Sequence, residues 1–305
     1  DAKMINAGNI QNEGIEFMVT ADIIRSEGLK WNAQLNLSHN ENRIIKLYDG
    51  GGIESPVTEY NLGTYDNLKI LAREGGKYGE IWGSSYKRVE DKTSDLYGKI
   101  ITDENGLPIA GDEKKLGDQQ PDLLAGLTNS FSFAGFDLSF LIDARFGGKM
   151  FSGTNHALQA GGAAAATVVN GARDKFVVDG AIESEVAGKT VYKKNTVEVT
   201  PQDYWGAIVG RSGNLGINEA NIYDATSVRL RNIALSYTLP KSLLKNTPIT
   251  KAKLGISCNN VWMIKSYMNG IDPESVFATG SNATGYEFAS SPTTRSFLFN
   301  ITLGF

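Results

Sequence analysis

Ser296-Phe297-Leu298-Phe299-Asn300-Ile301-Thr302-Leu303-Gly304-Phe305 is the stretch that decides the fold. Phe297, Phe299, Ile301, Leu303 and Phe305 fall on one face of an extended chain, and Ser296, Asn300, Thr302 and Gly304 dominate the other. Side chains alternate with a period of two only in a β-strand, so this segment reads as a strand with one apolar and one mostly polar surface. The same pattern recurs upstream. Ile15, Phe17, Val19, Ala21 and Ile23 alternate with Glu16, Met18, Thr20 and Asp22, and after Ser26-Glu27-Gly28 the alternation resumes from Leu29 to Leu37, which predicts a hairpin. Leu123 to Phe133 and Phe136 to Phe146 form a second pair about Gly135. Thr226 to Leu239 and Ala252 to Ile264 form a third, joined by a proline-marked connector with room for one helical turn. In the first strand of that pair the apolar phase slips from Val228 and Leu230 to Ile233, Leu235 and Tyr237, which predicts a β-bulge.

Seven strands of roughly 10 to 14 residues exceed the usual ~5 to 6 of soluble sheets and suit a tilted crossing of ~25 to 30 Å of hydrocarbon. Short turns follow strands one, three and five, whereas strands two, four and six precede long segments near 48–122, 148–225 and 266–294. Short turns on one side and long loops on the other is the arrangement of outer-membrane barrels. The expected fold is therefore all-β, an antiparallel transmembrane β-barrel portion with long extracellular loops; a large soluble β-protein is the alternative that alternation alone leaves open.

Composition narrows the function. Thirty Lys and Arg against 34 Asp and Glu leave a net charge of −4 over 305 residues, so no broad cationic surface awaits nucleic acid. A single cysteine, Cys258, excludes an internal disulfide, and no Cys/His spacing suits structural zinc. No apolar run reaches the ~18 to 20 residues of a spanning helix, while the mean hydropathy of −0.23 is compatible with a barrel. The chain opens on Asp-Ala-Lys with no signal-peptide pattern, so any export signal is expected upstream.

Motifs for covalent chemistry are missing from the sequence. There is no G-x-S-x-G, and His39, at an expected strand end, and His156, in an expected loop, stand beside no nucleophile motif. Gly188-Lys189-Thr190 has Glu183 where a phosphate loop needs glycine. Asp103-Glu104-Asn105-Gly106 reads as a type I′ turn rather than a calcium loop. The reading is a non-enzyme without cofactor or metal.

Two groups of side chains are candidates for function. Asp137, Asp143, Arg145, Arg229 and Arg231 stand on strands and would be expelled from a lipid-facing surface, which assigns them to the lumen. Of these, Asp143, Arg145, Arg229 and Arg231 are expected to form an ion network, because antiparallel neighbours bring their strand ends together. The loop aromatics Tyr78, Trp82, Tyr86, Tyr204 and Trp205 are substrate-contact candidates, with packing inside the loops as the alternative. Gly161 to Thr167 is a low-complexity stretch, read as a mobile or helical part of a loop.

Several stretches together resemble one known family. They are Asn12-Glu13-Gly14-Ile15-Glu16, Trp31 to Ser38, Lys115-Leu116-Gly117 with Pro121-Asp122, and Asp143-Ala144-Arg145-Phe146-Gly147-Gly148. Tyr223 to Arg231, Tyr237-Thr238-Leu239-Pro240, Asn259-Asn260-Val261-Trp262, Ile271-Asp272-Pro273-Glu274 and the terminal Phe305 complete the set. Taken together they resemble the C-terminal part of SusC/RagA-type TonB-dependent outer-membrane transporters of the Bacteroidetes. The resemblance implies that residues 1–305 are the C-terminal portion of a plugged barrel of roughly 22 strands, with the plug domain and N-terminal strands outside this chain. It further implies uptake of large nutrients, glycans or peptides, with a SusD-like surface lipoprotein, TonB and membrane lipid as partners. A passive porin or adhesin, or a secreted glycan-binding protein, is the alternative. Phe297, Phe299, Ile301, Leu303 and Phe305 resemble the terminal signal read by barrel-assembly machinery.

One partly lipid-exposed ring contributes only about 1 to 3 kcal/mol. Deleting Phe305 is therefore expected to lower the amount of assembled barrel in cells while leaving the melting temperature of the assembled fraction nearly unchanged; normal surface levels after deletion would remove the assembly role.

Overall fold

The computed structural model describes residues 8–48, 56–210, 216–276 and 280–305. Its main feature is a seven-stranded antiparallel sheet in strict chain order. The strands are β1 (Asn9–Arg25), β2 (Leu29–Lys46), β3 (Leu123–Phe133), β4 (Phe136–Phe146), β5 (Ser227–Thr238), β6 (Lys251–Ser266) and β7 (Ser296–Gly304). β1, β2 and β6 run to 17, 18 and 16 residues, longer than alternation alone suggests, because their polar ends continue the ladder where the apolar stripe has stopped.

Three local features set the meander. Between β3 and β4 both loop residues, Ala134 (φ 50°) and Gly135 (φ 85°), have positive φ, the backbone that matches the right-handed twist of the paired strands. Pro240 starts the β5–β6 connector, which carries the one-turn helix Lys241–Leu244. β5 slips register between Leu230 and Asn232 against both neighbours. Arg231 is the unpaired residue there, so it and Asn232 break the alternation and the apolar set moves to odd numbers.

The register converts alternation into two surfaces. Val19, Leu35, Leu127, Ile142, Leu230 and Trp262 form one row across six strands. Below it run Ala21, Ala33, Asn129, Phe140, Ile233, Cys258 and Phe297. Asn129 is the polar exception in this row, and its Oδ1 accepts a 3.0 Å hydrogen bond from the Trp31 indole, which supplies internally what hydrocarbon cannot. The opposite face carries Met18, Asn36, Gly126, Asp143, Arg229 and Met263 in one row and Thr20, Gln34, Thr128, Leu141, Asn232, Asn259 and Ser296 in the next.

Large apolar side chains on the first face stand bare: Phe299 is 79% exposed and Ile301 70%. A surface so extensive and so apolar belongs in lipid rather than water. Eleven residues of β4 at about 3.4 Å each, tilted as barrel strands are, span roughly 28 Å, the thickness of the hydrocarbon layer.

The buried core lies elsewhere. The three long segments leave the same end of the sheet and fold together into a cap. Leu68, Ile70 and Ile81 of the first pack on Phe151 of the second and on Ala283 and Tyr286 of the third. A second cluster joins Met150 and Ala225 to Met268. Within the first segment, strands Glu59–Tyr65, Leu68–Arg73, Tyr78–Tyr86 and Ala110–Asp118 make their own sheet.

Several sequence-based expectations are corrected. His39 lies inside β2, seven residues before its end, and its Nδ1 is 2.5 Å from the Asp122 carbonyl oxygen. His156 lies in helix Gly153–Ala160 rather than in a loop. Residues 103–106 do not form a type I′ turn: only Gly106 has positive φ, and the Asp103 side chain accepts the amides of Asn105 and Leu107. The chain still reverses there, with the Asp103 amide donating to the Leu107 carbonyl at 2.8 Å and the Ile109 amide to the Ile101 carbonyl at 3.1 Å, while the preceding strand Ile100–Thr102 pairs in parallel with Gly180–Val186 on its other side.

Placing Asp at Phe140, Ile256 or Phe299 is expected to block membrane assembly, while the same change at Ser139, Ser257 or Asn300 is expected to be mild. Heat-modifiability on gels reads the difference, and equal tolerance of both sets would reverse the assignment of faces.

Candidate functional site

Where β4 and β5 meet the cap, the polar face gathers its charges. Register sets Asp143 opposite Arg229, and the β5 bulge turns Arg231 onto the same face. Arg231 grips the Asp143 Oδ2 with Nε at 3.0 Å and Nη2 at 2.5 Å, and it also holds Glu274 from the third long segment. Asn260, itself at positive φ in a β6 irregularity, accepts from Arg231 Nη1 at 3.1 Å.

Arg229 turns instead to Asp272, with Nη2 to Oδ1 at 2.6 Å. Both side chains are buried, 5% and 9% exposed. Asp272 Oδ2 accepts the Thr293 hydroxyl at 2.7 Å, and Oδ1 accepts the Glu274 amide at 3.0 Å. Burial by itself raises the Asp272 pKa, but Thr293, the Glu274 amide and Arg229 outweigh it and hold the carboxyl below its ordinary range.

Among the described residues Arg145 joins no carboxylate. Its Nη2 donates at 2.5 Å to the Gln119 carbonyl oxygen, which ties β4 to the end of the first segment. The expected four-residue network thus divides: Asp143 and Arg231 pair, and Arg229 and Arg145 find partners outside the set. Asp272 and Glu274 were missed as network members, although one carboxylate among three guanidinium groups already signals that two more acids are needed.

Each aromatic candidate has a defined place. Tyr78, Trp82 and Tyr86 share strand Tyr78–Tyr86. The Tyr78 hydroxyl accepts from Asn282 at 2.8 Å. The Trp82 indole donates to Glu80 at 2.9 Å, and the Arg73 guanidinium lies 4.1 Å over its ring. Tyr86 instead joins Tyr204 and Trp205 around Ile208, Val209 and Ile217. Tyr204 meets Trp205 edge-on at 5.1 Å, and both belong to helix Pro201–Val209, capped by Thr200. Desolvation pushes the Tyr86 phenol above its ordinary value, followed by the nearby Tyr204 and Glu219.

Ion pairs lock these loops to one another. Arg88 forks onto Glu219 at 2.7 and 2.9 Å, and Ser84 and Asn218 exchange hydrogen bonds at 2.9 and 3.0 Å, joining first segment to second. Buried Glu287 accepts from Thr154 and from the hydroxyl of Ser152, the cap of helix Gly153–Ala160, joining third to second. Among the described residues no cluster of His, Cys, Asp and Glu could hold a metal ion. The charged groups of this arrangement are engaged chiefly with one another, which fixes the bases of the long segments on the wall.

No family model matches the chain. It is similar over nearly its whole length to curated TonB-dependent receptors. One is TonB-dependent receptor P3 of Formosa agariphila, 26% identical over 322 residues, with 98% of this chain and 29% of the relative covered. Another is TonB-dependent receptor SusC of Bacteroides thetaiotaomicron, 24% identical, covering 98% and 27%. A solved structure of the RagAB peptide transporter superposes with a TM-score of 0.62 at 18% identity, over 98% of this chain and 30% of that one. The chain thus has a SusC/RagA-type fold and spans under a third of the length of the relatives it matches.

Removing one partner of a buried ion pair costs about 3 to 5 kcal/mol, because the other charge stays desolvated. Asp272→Asn is expected to open residues 280–295 to limited proteolysis while β1–β7 keep their heat-modifiability. The folded pKa of Asp272 lies below its unfolded value, so its stabilisation is present above the ordinary carboxylate range and is lost as pH falls beneath it. Cleavage in wild type should rise with acidification over that window and be flat in the variant.

Proposed function

We propose that this chain is the C-terminal wall and extracellular cap of a TonB-dependent outer-membrane importer of large nutrients, glycan or peptide. The observation that carries the proposal is the sorting of connections: three long segments leave one end of an apolar-faced sheet and fuse into a single ion-paired cap. A cap so built holds a ligand-facing surface still above a polar wall. The plug domain, the remaining strands and the TonB-contacting segment belong to the part of the protein beyond residues 1–305. A SusD-like lipoprotein sits over the cap, and barrel-assembly machinery inserts the wall into lipid through the Phe297 to Phe305 stripe.

In this reading the chain works by positioning and not by covalent chemistry. Asp143, Arg231 and Glu274 hold the mouth of the lumen at fixed register, with Arg145 and the Arg229–Asp272 pair bracing it from both sides. Tyr78 and Trp82, on the strand of the first segment, contact substrate; Tyr86, Tyr204 and Trp205, packed around Ile208, Val209 and Ile217, support that surface.

Uptake of labelled oligosaccharides and oligopeptides by cells carrying the full protein tests this. Accumulation of one class is expected, lost when TonB is deleted; uptake that persists without TonB would indicate a passive pore. Trp82→Ala should raise the half-saturating concentration by up to about tenfold at unchanged surface level, since a ring contact contributes ~0.5 to 1.5 kcal/mol.

A further inference from the structure

β7 is shorter than the strand it pairs with. Its ladder with β6 ends at Asn259 opposite Ser296, and among the described residues Asn260 to Ser266 are flanked on that side by the lead-in to β7 rather than by a paired strand. Beside that stretch lies a cavity of about 340 Å³. Its inner wall is the Arg229–Asp272 pair with Thr293, and Asn260 spans its base by donating its amide to the Thr294 carbonyl at 2.9 Å. Its outer lip is Trp262 and Arg295.

The lip belongs to the apolar face. Trp262 stands in the row of Leu230 and Ile142 and is 59% exposed. Lys265, opposite Val228, lies above it, with its ammonium 4.8 Å over the Tyr267 ring. Asp272 and Glu274, the nearby acids, are engaged by Arg229 and Arg231. Among the described residues no carboxylate lies within ion-pair distance of Arg295 or Lys265. Directly beneath, Phe297, Phe299 and Ile301 continue the apolar stripe. Indole and phenol rings favour the boundary between hydrocarbon and water, and cations there attract phosphate.

We infer that this notch is a binding site for a single phosphate-bearing anionic lipid, its headgroup held by Arg295 and Lys265 and its acyl chain laid along Trp262, Phe297 and Phe299. The inference rests on the reading of β1–β7 as a membrane wall. Headgroup charge and the apolar stripe are adjoining parts of one surface, which selects a lipid over a free phosphate ion: an ion would leave Trp262 and Phe297 uncovered. The Arg229–Asp272 pair keeps the inner wall neutral, so the attraction comes from the lip.

The test uses the full protein in detergent micelles doped with phosphatidylglycerol, analysed by native mass spectrometry as annular lipid is stripped. One lipid is expected to be retained by wild type, and inorganic phosphate is expected not to displace it. Arg295→Gln and Lys265→Gln should each weaken retention roughly fivefold, the effect of one interfacial cation. Trp262→Leu should shorten retention with both charges in place. Equal retention by the double charge variant, no retained lipid in wild type, or displacement by inorganic phosphate would each overturn the site. Loss of the membrane reading would show separately, as wild-type protein that is soluble without detergent and has no heat-modifiable band.

Discussion

A hydrocarbon layer offers no partner to a peptide N–H or C=O, and that constraint shapes everything else in this chain. Strands that cross must satisfy their backbones on neighbouring strands, so they are long, antiparallel and continuous from β1 to β7. Freed from building a water-excluding interior, the sheet keeps its apolar side chains on the outside and polar ones within. Asn129 shows the cost of an exception: it is tolerated in the apolar row with Trp31 donating to it. The outer edges of β1 and β7 carry the same demand.

Because the wall has little interior, the hydrophobic core moved to the cap. Leu68, Ile70, Ile81 and Phe151 are fully buried, while on the sheet Phe299 and Ile301 are mostly bare. Two solvents thus act on one chain. In water, the long segments fold as an ordinary small β-protein with clusters, caps and ion pairs. In lipid, the strands follow alternation alone. The seam between the two regimes is where Arg145, Arg229 and Arg231 collect, since a guanidinium there can reach an acid or a backbone carbonyl of the cap while its stem stays on the wall.

That seam also explains why rigidity concentrates at the loop bases. Arg229 and Asp272 are separated by 43 residues, yet their contact fixes the third segment on β5. Gln119, at the end of the first segment, receives Arg145 from β4. A cap tied to the wall at these points holds its own strands and helices in a constant geometry.

Strand existence, phase, the bulge near Arg231 and the side on which long loops emerge were legible in the sequence, because period-two alternation and connection length are local properties. Charged residues on strands likewise marked the polar face of the sheet, where Asp143, Arg229 and Arg231 gather. Tertiary structure decided the partners. Sequence separation carries no information on which acid Arg229 selects, and Asp272 and Glu274 became network members only through the path of the third segment. The division of the aromatics is of the same kind: Tyr86 meets Tyr204 across more than a hundred residues, while Trp82 on the same strand is covered by Arg73. Alternation is dictated by the backbone of each strand alone, whereas pairing of distant charges and rings depends on how loops pack in water, a collective outcome to which each residue contributes a little.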